Sequence, residues 1–215
     1  MHLKRQESPK SWPIYRKGTK YIVRPISGIR NGVPLLLVLR DLLKIAKNRK
    51  EVKRAIHMKN IMVNNKPVRD EKNSLFLFDT LSIIPLKKNY KLEILNNGKI
   101  GVNEIKESEA NHKIVKVVNK KMLRGKKMQL NMSDGRNFLS NIECNTNDSV
   151  LVNFKEKKIE KCIPLKEKAE VFVFAGKHAG KRGKVNKIDE INKMTEVSID
   201  EKPVNILIKQ LIALK

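Results

Sequence analysis

The spacing of apolar residues predicts two consecutive helices in the first third of the chain. Between Leu35 and Ala46 apolar side chains recur at helical intervals, and Pro34 suits the first turn of a helix. Asn48 and Glu51 stand in the pattern of a capping box, which predicts that a second helix begins at this point. This helix should bury its apolar residues, Val52, Ala55 and Ile56. Its opposite face should present the basic residues Arg49, Lys50, Lys53 and Arg54.

After this helix the period of the pattern changes from helical to alternating, which predicts β-structure. The pair Asn64-Asn65 separates two short apolar stretches, and it predicts a two-residue hairpin turn because Asn tolerates a positive φ at low cost. Residues 76–84 are typical of one or two buried strands. Residues 35–95 therefore predict a small unit of two helices followed by β-structure.

The remainder of the chain predicts short strands at regular spacing. Between residues 96 and 165 this spacing indicates a small barrel or sandwich, with Asp134-Gly135 as a hairpin signal. The predicted strands of this segment are 113–118, 128–132, 150–154 and 159–163. A further strand at 169–174 leads into a loop with glycines at 176, 180 and 183, which supply positive φ or room for another backbone. We expect this exposed loop to carry Lys177, His178, Lys181, Arg182 and Lys184.

The first 34 residues predict an extended, irregular segment. Prolines recur among glycines, and the apolar residues are isolated, so the segment is not expected to fold alone. Two interpretations remain open for it. It is either a disordered, tag-like arm or an arm that becomes ordered on a polyanion, with Trp12 and the tyrosines packing on a neighbouring surface or stacking on a base. The combination of cations with aromatic side chains favours the second.

Net charge indicates the kind of partner. The 215 residues include 47 Lys and Arg against 22 Asp and Glu, which gives a formal net charge of +25. Such charge repels itself unless a partner neutralises it, and nucleic acid, anionic lipid and acidic protein are the candidates. Because the excess of cations extends over the whole chain, a long polyanion is favoured over a membrane surface. The second predicted helix carries four cations and only one acidic residue, Glu51. This imbalance favours contact with phosphate over a surface that is merely solvated.

The sequence lacks the motifs of the common enzyme and metal sites. The glycine loop is not a P-loop, because only three residues separate Gly176 from Gly180 and Arg182 occupies the place of the magnesium-binding hydroxyl. Cys144 and Cys162 have no zinc-site spacing and fit a reducing compartment, where we expect both to be buried as small apolar side chains. No apolar run has the length of a membrane span, and no signal peptide is recognisable. We therefore expect a soluble intracellular protein without catalytic activity, cofactor or metal.

Four blocks in collinear order resemble the S4e family of ribosomal proteins, found in the small subunit of archaeal and eukaryotic ribosomes. The family's N-terminal arm is similar to residues 2–5 with 9–13. Its S4-type RNA-binding unit is similar to this chain at residues 34–37, 39–40, 51–53, 63–64, 68–70, 79 and 82–83. The signature of the family's central β-domain is similar to Gln129-Leu130-Asn131 with Asp134-Gly135-Arg136-Asn137. Residues 176–180 with Gly183 and Val185 resemble the KOW loop. Ala175 departs from the family's usual glycine, and the C-terminal apolar run lacks the usual final glycine, so no binding role is assigned to that run.

The resemblance implies an α+β multidomain protein. Its parts would be a basic extended arm (1–34), a small α/β S4-type RNA-binding domain (35–95), a central all-β domain (96–165) and a C-terminal KOW domain (166–215) with an SH3-like β-barrel. The implied function is that of a structural constituent of the small ribosomal subunit, supporting its assembly and translation in the cytoplasm. The implied partners are small-subunit ribosomal RNA and neighbouring ribosomal proteins, with no membrane and no small-molecule substrate.

The resemblance and the basic surfaces together assign the residues expected to contact RNA. In the arm they are Lys4, Arg5, Trp12, Arg16, Lys17, Lys20, Arg24 and Arg30. In the S4-type unit they are Arg40, Arg49, Lys50, Lys53, Arg54, Asn64 and Lys66. In the two β-domains they are Arg136, Lys177, His178, Lys181 and Arg182. The loop predicted at 120–127 holds only cations among its charged residues, and it could equally be a solvated loop or face RNA.

Three other kinds of protein remain as alternatives to a ribosomal component. A KOW-containing transcription or RNA-processing factor would bind polymerase or processing partners instead of ribosomal subunits. A pseudouridine synthase with an appended S4-type domain would need a further catalytic domain, for which little chain is left. An anionic-membrane binder is the weakest of the three. Because lysine supplies most of the cations, binding to RNA is expected to follow shape more than sequence.

Overall fold

The structure is a computed structural model that describes residues 2–29, 32–125, 127–140, 142–200 and 202–214. It is built mostly of β-strands in several sheets, with few helices. The chain forms two compact units, each of which is described by itself. The first consists of Met1–Ile94 and Lys99–Asn111, and the second of Leu95–Gly98 and His112–Lys215.

The first unit is organised around a five-stranded antiparallel sheet. The unit's strands are β1 (Leu3–Lys4), β2 (Tyr21–Ile22), β3 (Val33–Pro34), β4 (Ile61–Val63), β5 (Lys66–Pro67), β6 (Ser74–Leu75), β7 (Thr80–Ile83), β8 (Lys88–Ile94) and β9 (Ile100–Ile105). The main sheet has the order β5-β4-β7-β8-β9. Two small antiparallel pairs accompany it, β1 with β2 and β3 with β6.

Both helices predicted in this unit are present. The first, α1 (Leu35–Leu37), follows Pro34 and continues as a wider π-type segment, Val38–Leu42. It ends before Ala46 because Lys44 adopts a positive φ of 53°. The second, α2 (Arg49–His57), begins with the predicted capping box, in which the Glu51 carboxylate accepts backbone N–H bonds from Lys47 (2.7 Å) and Asn48 (3.4 Å). A short third helix, α3 (Glu107–Ala110), follows β9.

The core of the first unit includes the N-terminal residues. The apolar residues of α1 and the inward positions of α2, Val52 and Ile56, are buried together with apolar residues of β4, β7 and β8. Trp12 belongs to the same core with 2% of its surface exposed, and the Ser11 carbonyl accepts a hydrogen bond from the Ile100 N–H at 2.8 Å. The prediction that Trp12 contacts RNA is therefore wrong, because a ring buried in the core has no free face for a base.

The Asn64-Asn65 turn forms as predicted and also carries a buried polar network. Both residues have positive φ, 51° and 58°, and they connect β4 to β5. Asn64 is only 1% exposed: its Nδ2 donates to Asp79 Oδ1 (2.8 Å) and its Oδ1 accepts from the Thr80 N–H (3.0 Å). The prediction of an RNA contact at Asn64 is wrong, because these bonds tie its amide to β7 inside the fold. The predicted strand at 76–84 is shorter than expected, since Phe78 at φ 61° precedes β7.

The second unit contains two five-stranded antiparallel sheets. The first is formed by β10 (His112–Met122), β11 (Met128–Met132), β12 (Asn137–Ser140), β13 (Ser149–Asn153) and β14 (Lys158–Ile163), in the order β12-β11-β10-β13-β14. The second is formed by β15 (Glu170–Val173), β16 (Arg182–Asp189), β17 (Met194–Ile199), β18 (Lys202–Leu207) and β19 (Leu211–Ala213), in the order β18-β17-β16-β15-β19.

The predicted strands of this unit are all present, but two of the predicted loops are shorter than expected. β10 extends to Met122, so Lys120 and Lys121 lie in a strand, and Lys126 lies outside the described residues. β16 begins at Arg182, which pairs with Phe172 of β15, so the prediction that Arg182 and Lys184 lie in a loop is wrong. Backbone pairing with a neighbouring strand extends both elements beyond what the alternating pattern indicates.

Glycine permits close packing beside β16, as its positions predict. At Gly180 the φ is 93°, and a Cβ atom placed there would lie 2.0 Å from the carbonyl oxygen of Leu95. At Gly183 a Cβ atom would lie 2.5 Å from the Ser198 carbonyl oxygen. Any side chain at these two positions would displace a backbone segment, so both glycines are required by the fold.

Lys116 is a buried cation that connects the two sheets of the second unit. Its Nζ donates to the carbonyl oxygens of Ile208 and Leu211, the latter at 2.9 Å. Next to it, the Ser149 hydroxyl accepts a hydrogen bond from the Ala213 N–H at 2.9 Å. Burial lowers the pKa of Lys116 to about 8, because the charged amine has lost most of its hydration.

The two cysteines differ in burial: Cys144 is buried as predicted, whereas Cys162 is only half-buried.

The buried amine makes stability depend on pH in a defined direction. Between about pH 8 and the ordinary lysine pKa of 10.5 the unfolded chain holds a proton on Lys116 that the folded protein has released. The free energy of unfolding of the wild type should therefore rise with pH in this window relative to Lys116→Met, which lacks the amine. Urea unfolding of both proteins, followed by circular dichroism from about pH 7.5 to about pH 10.5, measures this difference. Parallel stability curves would contradict the assignment.

Candidate nucleic-acid interface

The outer face of α2 carries three exposed cations that lie within five residues of one another. Lys50, Lys53 and Arg54 are exposed, since Val52 and Ile56 turn the opposite side of the helix into the core. None of the three forms an ion pair with any described residue. The neighbouring Glu51 does not neutralise them, because its carboxylate is bound to the backbone at the start of the helix. We call Lys50, Lys53 and Arg54 the α2 basic face.

Arg49, at the start of the same helix, has a different role from the α2 basic face. Its Nε and Nη2 both donate to Oε1 of Glu71, the first at 2.9 Å. The Glu71 side chain is 6% exposed, whereas that of Arg49 is 51% exposed. Burial by itself raises the pKa of Glu71, but hydrogen bonding, chiefly from Arg49, outweighs it and leaves this pKa below its ordinary value. Arg49 therefore connects the start of α2 to Glu71. Only the exposed part of its side chain remains accessible to another partner.

Several other predicted RNA contacts are engaged within their own unit. In the first unit, Arg40 forms a two-point ion pair with Asp41 (2.8 and 2.9 Å), and Arg5 donates to the Tyr15 and Thr19 carbonyl oxygens. Lys20 lies over the Tyr21 ring at 5.5 Å. A phosphate that binds one of these cations therefore has to compete with a partner inside the unit.

In the second unit, Lys181 is paired with Asp200 at 2.6 Å. Arg136 lies 5.0 Å from the centre of the Phe154 ring, and its Nε is 3.8 Å from Asp134 Oδ2. Lys181 thus has one partner inside the unit and Arg136 has two. His178 is half-buried in the loop between β15 and β16.

The remaining predicted contacts are available to solvent or lie outside the description. Of the remaining predicted contacts in the first unit, four are exposed and form no ion pair with a described residue: Lys4, Arg16, Lys17 and Lys66. Arg24 is half-buried, and Arg30 lies outside the described residues. In the second unit Lys177 and Arg182 are exposed. The helical geometry of α2 places its three exposed cations on one face, and the other predicted contacts lie on other elements of the two units.

The described residues form neither a cluster of candidate metal ligands nor a helix that could span a membrane. Within residues 2–29, 32–125, 127–140, 142–200 and 202–214, no three side chains of His, Cys, Asp or Glu come together as metal ligands. In the same ranges no helix combines the length and apolar character of a membrane span.

Comparison with known proteins identifies the family. The Ribosomal family S4e matches residues 86–159, and the RS4NT (NUC023) domain matches residues 1–28. The small ribosomal subunit protein eS4 of Methanocella arvoryzae is 39% identical over 190 residues, which cover 87% of this chain and 80% of that protein. The protein of the same name from Korarchaeum cryptofilum is 34% identical over 204 residues, 93% of this chain and 87% of that protein. This chain belongs to the S4e family.

A solved structure shows that the S4e fold is shared. The crystal structure of the 30S ribosomal protein S4e from Thermoplasma acidophilum superposes with a TM-score of 0.73 at 24% sequence identity. The match covers 86% of this chain and 95% of that one. The predicted family is thus confirmed, and so is the prediction that this S4e chain is not an enzyme, since the family consists of structural ribosomal proteins.

The acidic partners of these cations could not be predicted from the sequence. Glu71 is 22 residues from Arg49, and Asp200 is 19 residues from Lys181, so neither pair follows from helical or strand spacing. Asp41 is adjacent to Arg40, yet sequence gives no reason why two neighbouring side chains should form a two-point pair. A buried acid in a basic chain needs a cation, and this is the one signal that could have indicated the partner of Glu71.

Loss of the Arg49 side chain should cost stability as well as charge. In Arg49→Ala the buried carboxylate of Glu71 loses its strongest hydrogen-bond donor, and we expect the free energy of unfolding to fall by about 1–3 kcal/mol. The matched control is Arg54→Ala, which removes an exposed arginine from the same helix and should change stability by less than about 0.5 kcal/mol. Chemical unfolding monitored by Trp12 fluorescence measures both. Equal effects of the two variants would contradict the structural role of Arg49.

Proposed function

We propose that this S4e protein is a structural constituent of the small ribosomal subunit and binds ribosomal RNA chiefly through the α2 basic face. Relatives that match most of its length are named small ribosomal subunit proteins, and the family supports this function directly. Its partners are then ribosomal RNA and neighbouring ribosomal proteins, and its place is the ribosome. The finer assignment to α2 rests on the chemistry of that helix.

The domain layout expected from the sequence forms part of this proposal. Residues 35–95 would be the S4-type RNA-binding domain. The order of their elements supports this assignment, since α1 and α2 are followed by strands β4 to β8. Residues 96–165 would be the central β-domain, and residues 166–215 the KOW domain with an SH3-like barrel. The two five-stranded sheets of the second unit support this division. Residues 1–34 would be the basic N-terminal segment, whose β1 pairs with β2.

The single observation that carries the proposal is the uncompensated charge of the α2 basic face. Three neighbouring cations without acidic partners among the described residues raise the electrostatic energy of the free protein. A phosphate backbone relieves this repulsion and releases its condensed counterions, which supplies free energy that does not depend on base sequence. Exposed lysines act as point charges suited to phosphate, so the face should follow the shape of a folded RNA.

The other contacts in the proposal fall into two groups. The exposed cations would add phosphate contacts of the same kind: Lys4, Arg16, Lys17, Lys66, Lys177 and Arg182. The paired cations would contribute where RNA displaces a partner inside the unit, which is a backbone carbonyl for Arg5 and an acidic or aromatic side chain for Lys20, Arg40, Arg49, Arg136 and Lys181. Arg24 and His178 are less accessible and would contribute least. The alternative of a KOW-containing transcription or RNA-processing factor finds no support in the relatives described above.

Charge reversal on α2 tests the proposal. The triple variant Lys50→Glu, Lys53→Glu, Arg54→Glu should bind small-subunit ribosomal RNA at least about ten-fold more weakly at low salt, with little change in melting temperature, because the face is exposed. The slope of log affinity against log salt concentration should decrease by about one for each lost cation. Filter binding at several salt concentrations provides both quantities.

The matched control carries the same change of net charge elsewhere. Lys155, Lys157 and Lys158 are exposed around the start of β14, and their reversal to Glu alters the chain by an equal amount. If this control loses as much affinity as the α2 variant, binding is a diffuse effect of net charge and the α2 assignment is wrong. Recovery of the wild type away from the small ribosomal particle in a sucrose gradient of native lysate would contradict the proposed function itself.

A further inference from the structure

We propose that the outer face of strands β10, β11 and β12 is a second RNA-binding surface, which recognises unpaired bases through side-chain amides. This inference rests on the proposed function, since it assumes that the protein binds ribosomal RNA. It adds a site of different chemistry, because amides form hydrogen bonds with base edges and do not neutralise phosphate. We call Asn119, Gln129, Asn131 and Asn137 the amide face.

Strand register places these side chains in adjoining rows. Asn119 of β10 pairs with Asn131 of β11, which in turn pairs with Asn137 of β12, so three asparagines lie side by side across three strands. The next row consists of Lys121, Gln129 and Leu139. Directly paired residues of antiparallel strands point to the same side of a sheet, so both rows share one face.

This face is the one that does not pack into the core. The alternate residues of β11, Leu130 and Met132, are buried in the core of the second unit, together with Val117 of β10. Asn119, Asn137 and Lys121 are exposed, and Gln129 and Asn131 are half-buried among their neighbours. Leu139 has 61% of its surface exposed, so an apolar side chain also lies on this face. The face is thus open on the outside of the sheet.

Folding alone does not account for these residues. Asparagine is among the least favourable residues in β-strands, where β-branched side chains such as Thr would be more stable. A solvent-facing sheet surface normally carries Thr, Lys or Glu, yet here one row consists of asparagine alone. Side chains that oppose the local structural preference are typical of binding sites.

The amides retain free hydrogen-bonding groups. Gln129 Nε2 donates to Asn131 Oδ1 at 2.8 Å, and Asn119 Oδ1 accepts from the Lys120 N–H. Within the described part of the chain, Asn131 Nδ2, Gln129 Oε1 and both polar atoms of Asn137 form no hydrogen bond. The face therefore offers both donors and acceptors, which is what pairing with the edge of a base requires.

The surrounding charge determines the occupant. Lys121 lies within the second row, and the connection from β10 to β11 adds Arg124 and Lys127, both exposed. Cations at the end of an amide-rich sheet complement an anionic strand that carries hydrogen-bonding bases. A-form RNA encloses most base edges, so the fitting occupant is an unpaired, extended segment of ribosomal RNA, with Leu139 available to contact a base or ribose.

The double variant Gln129→Thr, Asn131→Thr tests the amide face. Thr is a better strand former than either residue, so the fold should be retained or strengthened. The probe is in vitro transcribed small-subunit ribosomal RNA, mapped by dimethyl sulfate, which modifies unpaired bases, and by hydroxyl radicals, which report on the backbone. The wild type should protect a set of unpaired bases from dimethyl sulfate. The double variant should lose this protection and about ten-fold in affinity, with the salt slope and the other backbone footprints unchanged.

The control variant is Asn205→Thr, which makes the same kind of change at an exposed strand position in β18. It should give the wild-type footprint. If the double variant protects the same bases as the wild type, the amide face is not a binding site, while the proposed function stands. If the wild type itself leaves no backbone footprint, the proposed function fails and this inference fails with it. A loss of base protection in Asn205→Thr equal to that in the double variant would also overturn the inference.

Discussion

The basic face proposed to bind RNA depends on the burial of one side of a nine-residue helix. Val52 and Ile56 anchor α2 in the core, and the Arg49–Glu71 pair fixes its first turn. With these contacts in place the remaining long side chains of the helix have to point outward. The α2 basic face is therefore a consequence of core packing, and its direction is as well defined as the core itself.

The acidic residues of the chain are used in a way that preserves this basic surface. Glu51 satisfies backbone N–H groups, Glu71 binds Arg49, and Asp134 lies buried against Lys113 at 3.0 Å. Each acid holds part of the fold together, and none of the three is directed at Lys50, Lys53 or Arg54. A chain with a net charge of +25 can thus contain 22 acidic residues and still present a cluster without counter-charges. Binding of a polyanion would neutralise the positive charge that the acidic residues of the folded chain leave uncompensated.

Local features of the fold were predictable because short stretches of sequence determine them. The capping box of α2, the Asn64-Asn65 turn and the glycine beside Leu95 all depend on residues close in sequence or on backbone geometry that few residues permit. The burial of Trp12 and the amide bonds of Asn64 depend on residues that only the folded chain brings near. Both residue types also occur on protein surfaces. Whether Trp12 and Asn64 are buried therefore depends on tertiary contacts that the sequence does not reveal.

The lysines of β10 explain why charge alone cannot delineate an RNA interface in this family member. Lys113 and Lys116 are buried in this strand, one against Asp134 and the other against two carbonyl oxygens, while Lys120 and Lys121 are exposed at its far end. Four identical side chains in eleven residues thus serve two opposite purposes. The exposed end adjoins the amide face, where a cation and hydrogen-bonding groups meet on one sheet. In such an interface the cations would supply most of the affinity through contacts to phosphate. The amides would supply specificity through contacts to unpaired bases.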